Sequence, residues 1–208
     1  MKKAFLYDSL CGIVYRCMYA GLDEYGHAQW VNITPGEEPK TLQDYVEDEE
    51  LGESRFFVLA MEGEAALPMQ VARVLGKVAE CPITGICADM SLAVKHMQEI
   101  GVKWDCKPLE LVFRVFENGK TSKRSGKYSL WIEDKEHYCS TLADIDGFDS
   151  MEDLFRAIRN YCLVLEDVAG IPILSKDLGI CDKLKKGVRK SDLSMFGRVE
   201  EEDNVLTH

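Results

Sequence analysis

Three aspartates, Asp144, Asp146 and Asp149, fall within one short stretch, with Gly147 among them. Clustered carboxylates are what a hard divalent cation takes, and Mg²⁺ held this way can activate water for hydrolysis or phosphoryl transfer. The spacing does not fit a calcium loop, because the glycine comes too early and no bidentate acid follows. A turn leading into a helix uses the same residues, since aspartate side chains accept hydrogen bonds from turn and cap N–H groups. The capping reading is preferred here. A small metal-dependent hydrolase is kept as an alternative.

The thiols and imidazoles offer two further chemistries. Structural zinc sites bring paired thiolates from knuckles with two to four intervening residues. The nearest pairs in this chain, Cys11/Cys17 and Cys81/Cys87, have five residues between them, so a metal would need Cys81, Cys87, Cys106 and His137 or Cys139 to converge from separate elements. His137 and Cys139 share one face of a strand-like stretch, but Glu133, Asp134 and Glu136 beside them oppose a thiolate. Reduced, mostly buried thiols are therefore expected, with no metal and no cofactor. The GKT at residues 119–121 is not a phosphate loop, because Arg114 stands where the loop needs its first glycine. No G-x-G-x-x-G, nucleophile elbow or H-E-x-x-H occurs, and the reading leans away from an enzyme.

Charge is sorted along the chain. The formal net charge is −11, yet residues 118–127 hold Lys120, Lys123, Arg124 and Lys127 and no acid. Glu47, Asp48, Glu49 and Glu50 form an acidic run, and 144–153 and 200–203 form others. A second cationic cluster spans 184–190. Segregated charge predicts surfaces of opposite field, and such fields steer partners. The pI of about 4.9 disfavours nucleic-acid binding over the whole surface. No apolar run approaches the ~20 residues of a membrane span, and Asp8 interrupts the apolar start that would otherwise suggest a signal peptide. The chain is read as cytoplasmic, with no membrane partner.

The elements that must position these residues follow from periodicity. Residues 4–7, 12–20 and 29–33 are rich in aromatic and β-branched types and predict strands. The T-x-x-D at Thr41 and Asp44 predicts a short acidic helix ending at Gly52. The continuous apolar run 56–61 predicts a central strand. Pro68 opens a helix striped by Val71, Val74, Leu75 and Val78, and a second helix is predicted over 89–100, stopped by Gly101. An antiparallel meander is predicted around 109–141, starting from the strand at 109–117. Asn118-Gly119 marks either a tight type I′ hairpin or the start of a basic loop. A long amphipathic helix near 150–169 should pack across the sheet. Leu163 on its polar face, and Glu166 and Asp167 in its last turn, break local rules.

The fold class is thus α+β: a mainly antiparallel sheet with helices packed on it. One domain is expected over 1–190, with a possible helical subdivision near 65–108, and a mobile acidic tail over 191–208. The leading functional expectation is a non-enzymatic interaction protein, of inhibitor, immunity or adaptor type. It would dock a macromolecular partner, foremost a protein, through its charged surfaces. Glu47, Asp48, Glu49, Glu50, Lys120, Lys123, Arg124, Lys127 and Leu163 are the candidate binding residues. Nucleic-acid binding through the basic hairpin is a second alternative. The sequence carries no signal for oligomeric state.

Overall fold

Residues 1–45, 55–136 and 140–202 are described by the structure, a computed structural model. The first sheet is antiparallel and combines β1 (Lys3–Asp8), β2 (Val14–Leu22), β3 (Ala28–Asn32), β4 (Lys40–Thr41) and β5 (Phe56–Met61) in the order β4-β3-β2-β1-β5. Alternation along β1 explains its two-sided burial. Phe5 and Tyr7 join the large core on one face, while Ala4 and Leu6 join a smaller cluster with Tyr15, Cys17 and Leu42 on the other.

That two-sidedness corrects the expectation for β5. Its unbroken apolar run suggested a central strand, but β5 is an edge, paired only with β1 among the described residues. Apolar residues are needed on both sides because both faces of this sheet are packed. Phe57 stacks on Tyr7 on one face, and Phe56 meets Tyr15 edge-on at the other. Of the acidic helix predicted after Thr41, Leu42–Tyr45 form a 3-10 turn, and the remainder up to Gly52 lies outside the described residues.

A short parallel pair, β6 (Ala65–Ala66) and β7 (Lys103–Trp104), brackets the helices α1 (Pro68–Glu80) and α2 (Ile86–Glu99). Helix α2 begins three residues before the predicted Asp89, because the Asp89 carboxylate reaches back to the preceding loop. Then come β8 (Leu109–Glu117), β9 (Tyr128–Asp134) and β10 (Ser140–Phe148), the predicted meander, with its last strand running seven residues past the expected end at 141. Helix α3 (Met151–Leu163) is capped by Ser150, whose hydroxyl accepts the N–H of Asp153 at 3.1 Å. β11 (Ile173–Ile180), α4 (Asp182–Lys185), α5 (Lys190–Leu193) and β12 (Arg198–Glu201) complete the chain. The second sheet has the order β10-β9-β8-β11-β12, with β8, β11 and β12 mutually parallel. The fold is therefore α+β, with antiparallel and mixed sheets and helices packed on them.

One open alternative is decided, and two local outcomes differ from the sequence reading. Gly119 lacks the positive φ that a type I′ turn requires, so the tight hairpin is ruled out and residues 118–127 form a loop. Asn118 closes its base, its backbone N–H donating to Lys127 O at 2.8 Å and its amide to Ser125 O and Gly126 O. The long helix is continuous for eighteen residues, but Val164–Val168 widen into a π turn closed by Ala169 N–H on Val164 O at 2.8 Å. The acid near its end is answered by Lys176, whose Nζ lies 3.1 Å from Glu166, supplying the cation that the negative helix end favours. Finally, the segment expected as a mobile tail is built into the fold through residue 202. Phe196 is buried between Phe113 and Phe155, and β12 extends the sheet. Apolar Leu193, Phe196 and Val199 outweigh the acids on which that expectation rested.

Candidate functional site

The most organised polar centre sits where β1 ends and β5 begins. Asp8 is 1% exposed, and its carboxylate receives Arg55 Nε at 3.0 Å, Arg55 Nη2 at 2.6 Å and the Leu10 N–H at 2.9 Å. Burial alone would raise the Asp8 pKa, but the Arg55 hydrogen bonds, the Leu10 N–H and the guanidinium charge outweigh it and hold the carboxyl below its ordinary range. Burial pushes the Cys11 thiol up, and the Asp8 charge adds to that, so Cys11 is a neutral thiol rather than a nucleophile.

This centre shapes the turn over residues 9–13. The Gly12 N–H donates to Asp8 O at 2.8 Å, and the Asp8 N–H to Ile13 O at 2.9 Å. Gly12 has φ +72°, and a Cβ there would stand 2.6 Å from Val74 O and 2.8 Å from Val78 Cγ2. Only glycine lets the turn seat on α1.

Between that turn and α2 lies a cleft of about 330 Å³. Its apolar wall comes from Ile13, Val14, Val78, Ile83, Leu92 and Ala93; Cys11, Cys81, Asp89 and His96 supply the rest of its side-chain chemistry. Ile83 is 93% exposed at its rim, and Leu10, Ile13 and Leu92 are exposed too. Asp89 accepts the N–H groups of Ile83, Thr84 and Gly85 at 2.7, 3.0 and 3.2 Å, and also the Thr84 hydroxyl. The Thr84 hydroxyl, followed by these backbone donors, holds its pKa at about 2 against the opposing effect of desolvation. His96 Nε2 lies 2.7 Å from Val14 O, and since a carbonyl only accepts, Nε2 carries the proton.

The cleft and the β5 edge share a row of side chains. Tyr7 registers with Val14 on one side and with Phe57 on the other. At that edge Phe57 is 46% and Val58 44% exposed.

Lys120, Lys123, Arg124, Lys127 and Leu163, singled out from sequence as binding residues, lie away from this cleft. Glu47, Asp48, Glu49 and Glu50 fall outside the described residues. Lys120, Lys123 and Lys127 are exposed on the 118–127 loop, with Lys127 Nζ 5.0 Å from the Tyr128 ring centre. Arg124 is engaged. It pairs with both oxygens of Asp144, one at 2.8 Å, and lies over the Trp131 ring. Asp146 accepts the N–H and hydroxyl of Ser125 at 3.1 and 2.6 Å. The strand β10 carries Asp144 and Asp146, so two of the three aspartates hold the basic loop rather than a turn before α3. Leu163 is 47% exposed on α3, remote in sequence from the other candidates.

Among the described residues, no group of three or more His, Cys, Asp or Glu side chains could hold a metal, which argues against the metal-dependent hydrolase. Cys87 is half-buried and Cys81 and Cys106 are exposed, which corrects the expectation of mostly buried thiols; His137 and Cys139 lie outside the described residues. No described helix is long and apolar enough to cross a membrane.

Sequence reasoning missed Arg55, Asp89, His96 and the turn at 9–13. The available signal was apolar residues in segments that should be polar: Leu10 and Ile13 flanking Gly12, and Ile83 between Pro82 and Gly85. Comparison with models of known families, with curated proteins and with solved structures finds no match.

Proposed function

We propose that the chain is a non-enzymatic interaction protein, of inhibitor, immunity or adaptor type, that docks an extended basic segment of a partner protein by strand addition to β5. The observation that carries this reading is the β5 edge. Its outer side has no strand partner among the described residues, and Phe57 and Val58 are nearly half exposed. An exposed apolar edge invites pairing with another chain unless it is blunted, and the irregular register opposite Phe5 and Leu6 blunts only its far half. Main-chain hydrogen bonds would supply affinity, and Phe57 and Val58 would receive alternate side chains of the incoming strand.

Charge favours a basic partner. The chain carries −11, and the run Glu47-Asp48-Glu49-Glu50 precedes Phe56 closely in sequence. The nucleic-acid alternative is weakened because Arg124, central to the basic loop, is already neutralised by Asp144.

A labelled peptide of alternating lysine and β-branched residues tests the reading by fluorescence anisotropy. Saturable binding that weakens with salt is expected, with no binding of the glutamate counterpart. Val58→Lys should abolish it, since lysine on an edge blocks strand addition. Replacing Glu47, Asp48, Glu49 and Glu50 by their amides should slow association and leave dissociation little changed. Equal binding by native protein and Val58→Lys, or no binding of the basic peptide, would sink the proposal.

A further inference from the structure

The cleft between the 9–13 turn and α2 is independent of strand addition, and its chemistry is specific enough to name a ligand class. The geometry points to a binding site for a small, largely apolar molecule that bears no negative charge and carries one hydrogen-bond donor, of the size of indole or phenol.

Size comes first. A volume of about 330 Å³ stands at the lower end of ligand pockets, which run from about 300 to 1,000 Å³. The wall is set before any ligand arrives. Gly12 seats the turn on α1 with no room to move inward, and His96 ties α2 to Val14 O. A preformed site avoids the ordering cost that a flexible one meets on binding.

Polarity comes next, and most of it is already committed. The Asp89 carboxylate takes three backbone N–H groups on Oδ2 and the Thr84 hydroxyl on Oδ1, so its oxygens are spent largely on holding the loop before α2. Its negative charge repels an anion, and no lysine or arginine lines the cleft to offset that. The Cys11 thiol is held neutral by burial and by the Asp8 charge. In neutral His96 the proton sits on Nε2, so Nδ1 is the ring's acceptor, and it has no hydrogen-bond partner among the described residues. His96 lines the cleft, so its Nδ1 is the acceptor that a ligand with one donor would use.

Two exposed thiols make the test internal. Cys81 lines the cleft and Cys106 does not. Iodoacetamide time courses on the native chain, resolved by peptide mass spectrometry, give both rates in one sample. With indole at ten times its dissociation constant, alkylation of Cys81 should slow about tenfold by mass action while Cys106 is unchanged. Benzoate, an anion of similar size, should protect neither. Ala93→Phe, which fills the cleft, should remove the indole effect. Ile83→Ala, at a rim position with no folding role, should weaken it and serves if the first variant does not fold. Val58→Lys should keep full protection, so failure of the peptide experiment leaves this result standing. Equal slowing at Cys81 and Cys106, slowing at neither, or protection by benzoate would overturn the assignment.

Discussion

Asp8 shows how one residue can hold together three pieces of chain. Its carboxylate binds Arg55 just before β5 and Leu10 in the turn beside the cleft. In the sequence its visible effect is to interrupt an apolar stretch. A buried carboxylate without partners would ionise reluctantly, so its position in the core requires the guanidinium that arrives 47 residues later. Asp8→Asn should leave Arg55 facing a neutral amide and cost roughly 1.5–3 kcal/mol, the range for hydrogen bonds to charged groups. Chemical denaturation at pH 7 measures it. The sign of the pH effect follows from the depressed folded pKa. This stability is present above the unfolded carboxylate range and is lost as pH falls through the lower folded value. The native and Asp8→Asn curves should therefore converge in strong acid. Curves that stay parallel down to pH 2 would show that the pair contributes no linkage.

At the scale of elements, α1 crosses close against β10. A Cβ at Gly76 would stand 1.8 Å from Leu142 O, so the helix must carry glycine where it crosses the strand. Helix propensity alone favours Gly76→Ala by up to about 1 kcal/mol. The clash is with backbone, which cannot rotate aside, so the variant should instead be destabilised by about 1–3 kcal/mol. A shift in urea midpoint at constant slope would check this, and a stabilised variant would contradict the packing. Most elements were legible because their cause is local: the stripe of Val71, Val74, Leu75 and Val78, the cap at Ser150, the alternation of 109–117. What was not legible depends on partners distant in the chain. The β5 run looks the same whether burial comes from two neighbouring strands or from two packed faces. Asn118-Gly119 matches a tight turn, yet Gly126 carries the positive φ, and a Cβ there would meet Gly147 at 2.5 Å. The site was largely illegible for the same reason. Asp8, Arg55 and the α2 pair Asp89 and His96 come from three segments that only folding brings near one another.

Over the whole molecule, charge sorted along the chain is not equally sorted in space. Sheet pairing sets the basic loop beside β10, so Arg124 meets Asp144, and cations at and just before the second cluster meet acids likewise: Lys183 lies 2.9 Å from Glu117 and Lys185 3.3 Å from Glu201. Sequence separation says little about such pairings, because the partners stand 16 to 66 residues apart. The excess of eleven negative charges remains after every pairing. Two electrostatic effects therefore oppose one another, and salt separates them. Contact pairs act at about 3 Å, well inside the Debye length at any ordinary salt, whereas repulsion among the uncompensated carboxylates acts over tens of ångströms. Raising NaCl from about 10 to about 150 mM shortens the Debye length from about 30 to about 8 Å and removes mainly the repulsion. Surface pairs are worth only about 0–1 kcal/mol each to begin with. The melting temperature should therefore rise with salt, by no more than about 2–4 °C, which corresponds to about 1 kcal/mol in a chain of this size. A scan by differential calorimetry at the two concentrations decides the sign. A fall would mean that the paired lattice of arginines, lysines and carboxylates, rather than the net charge, governs the stability of this fold, and the basic-partner reading would lose its long-range attraction.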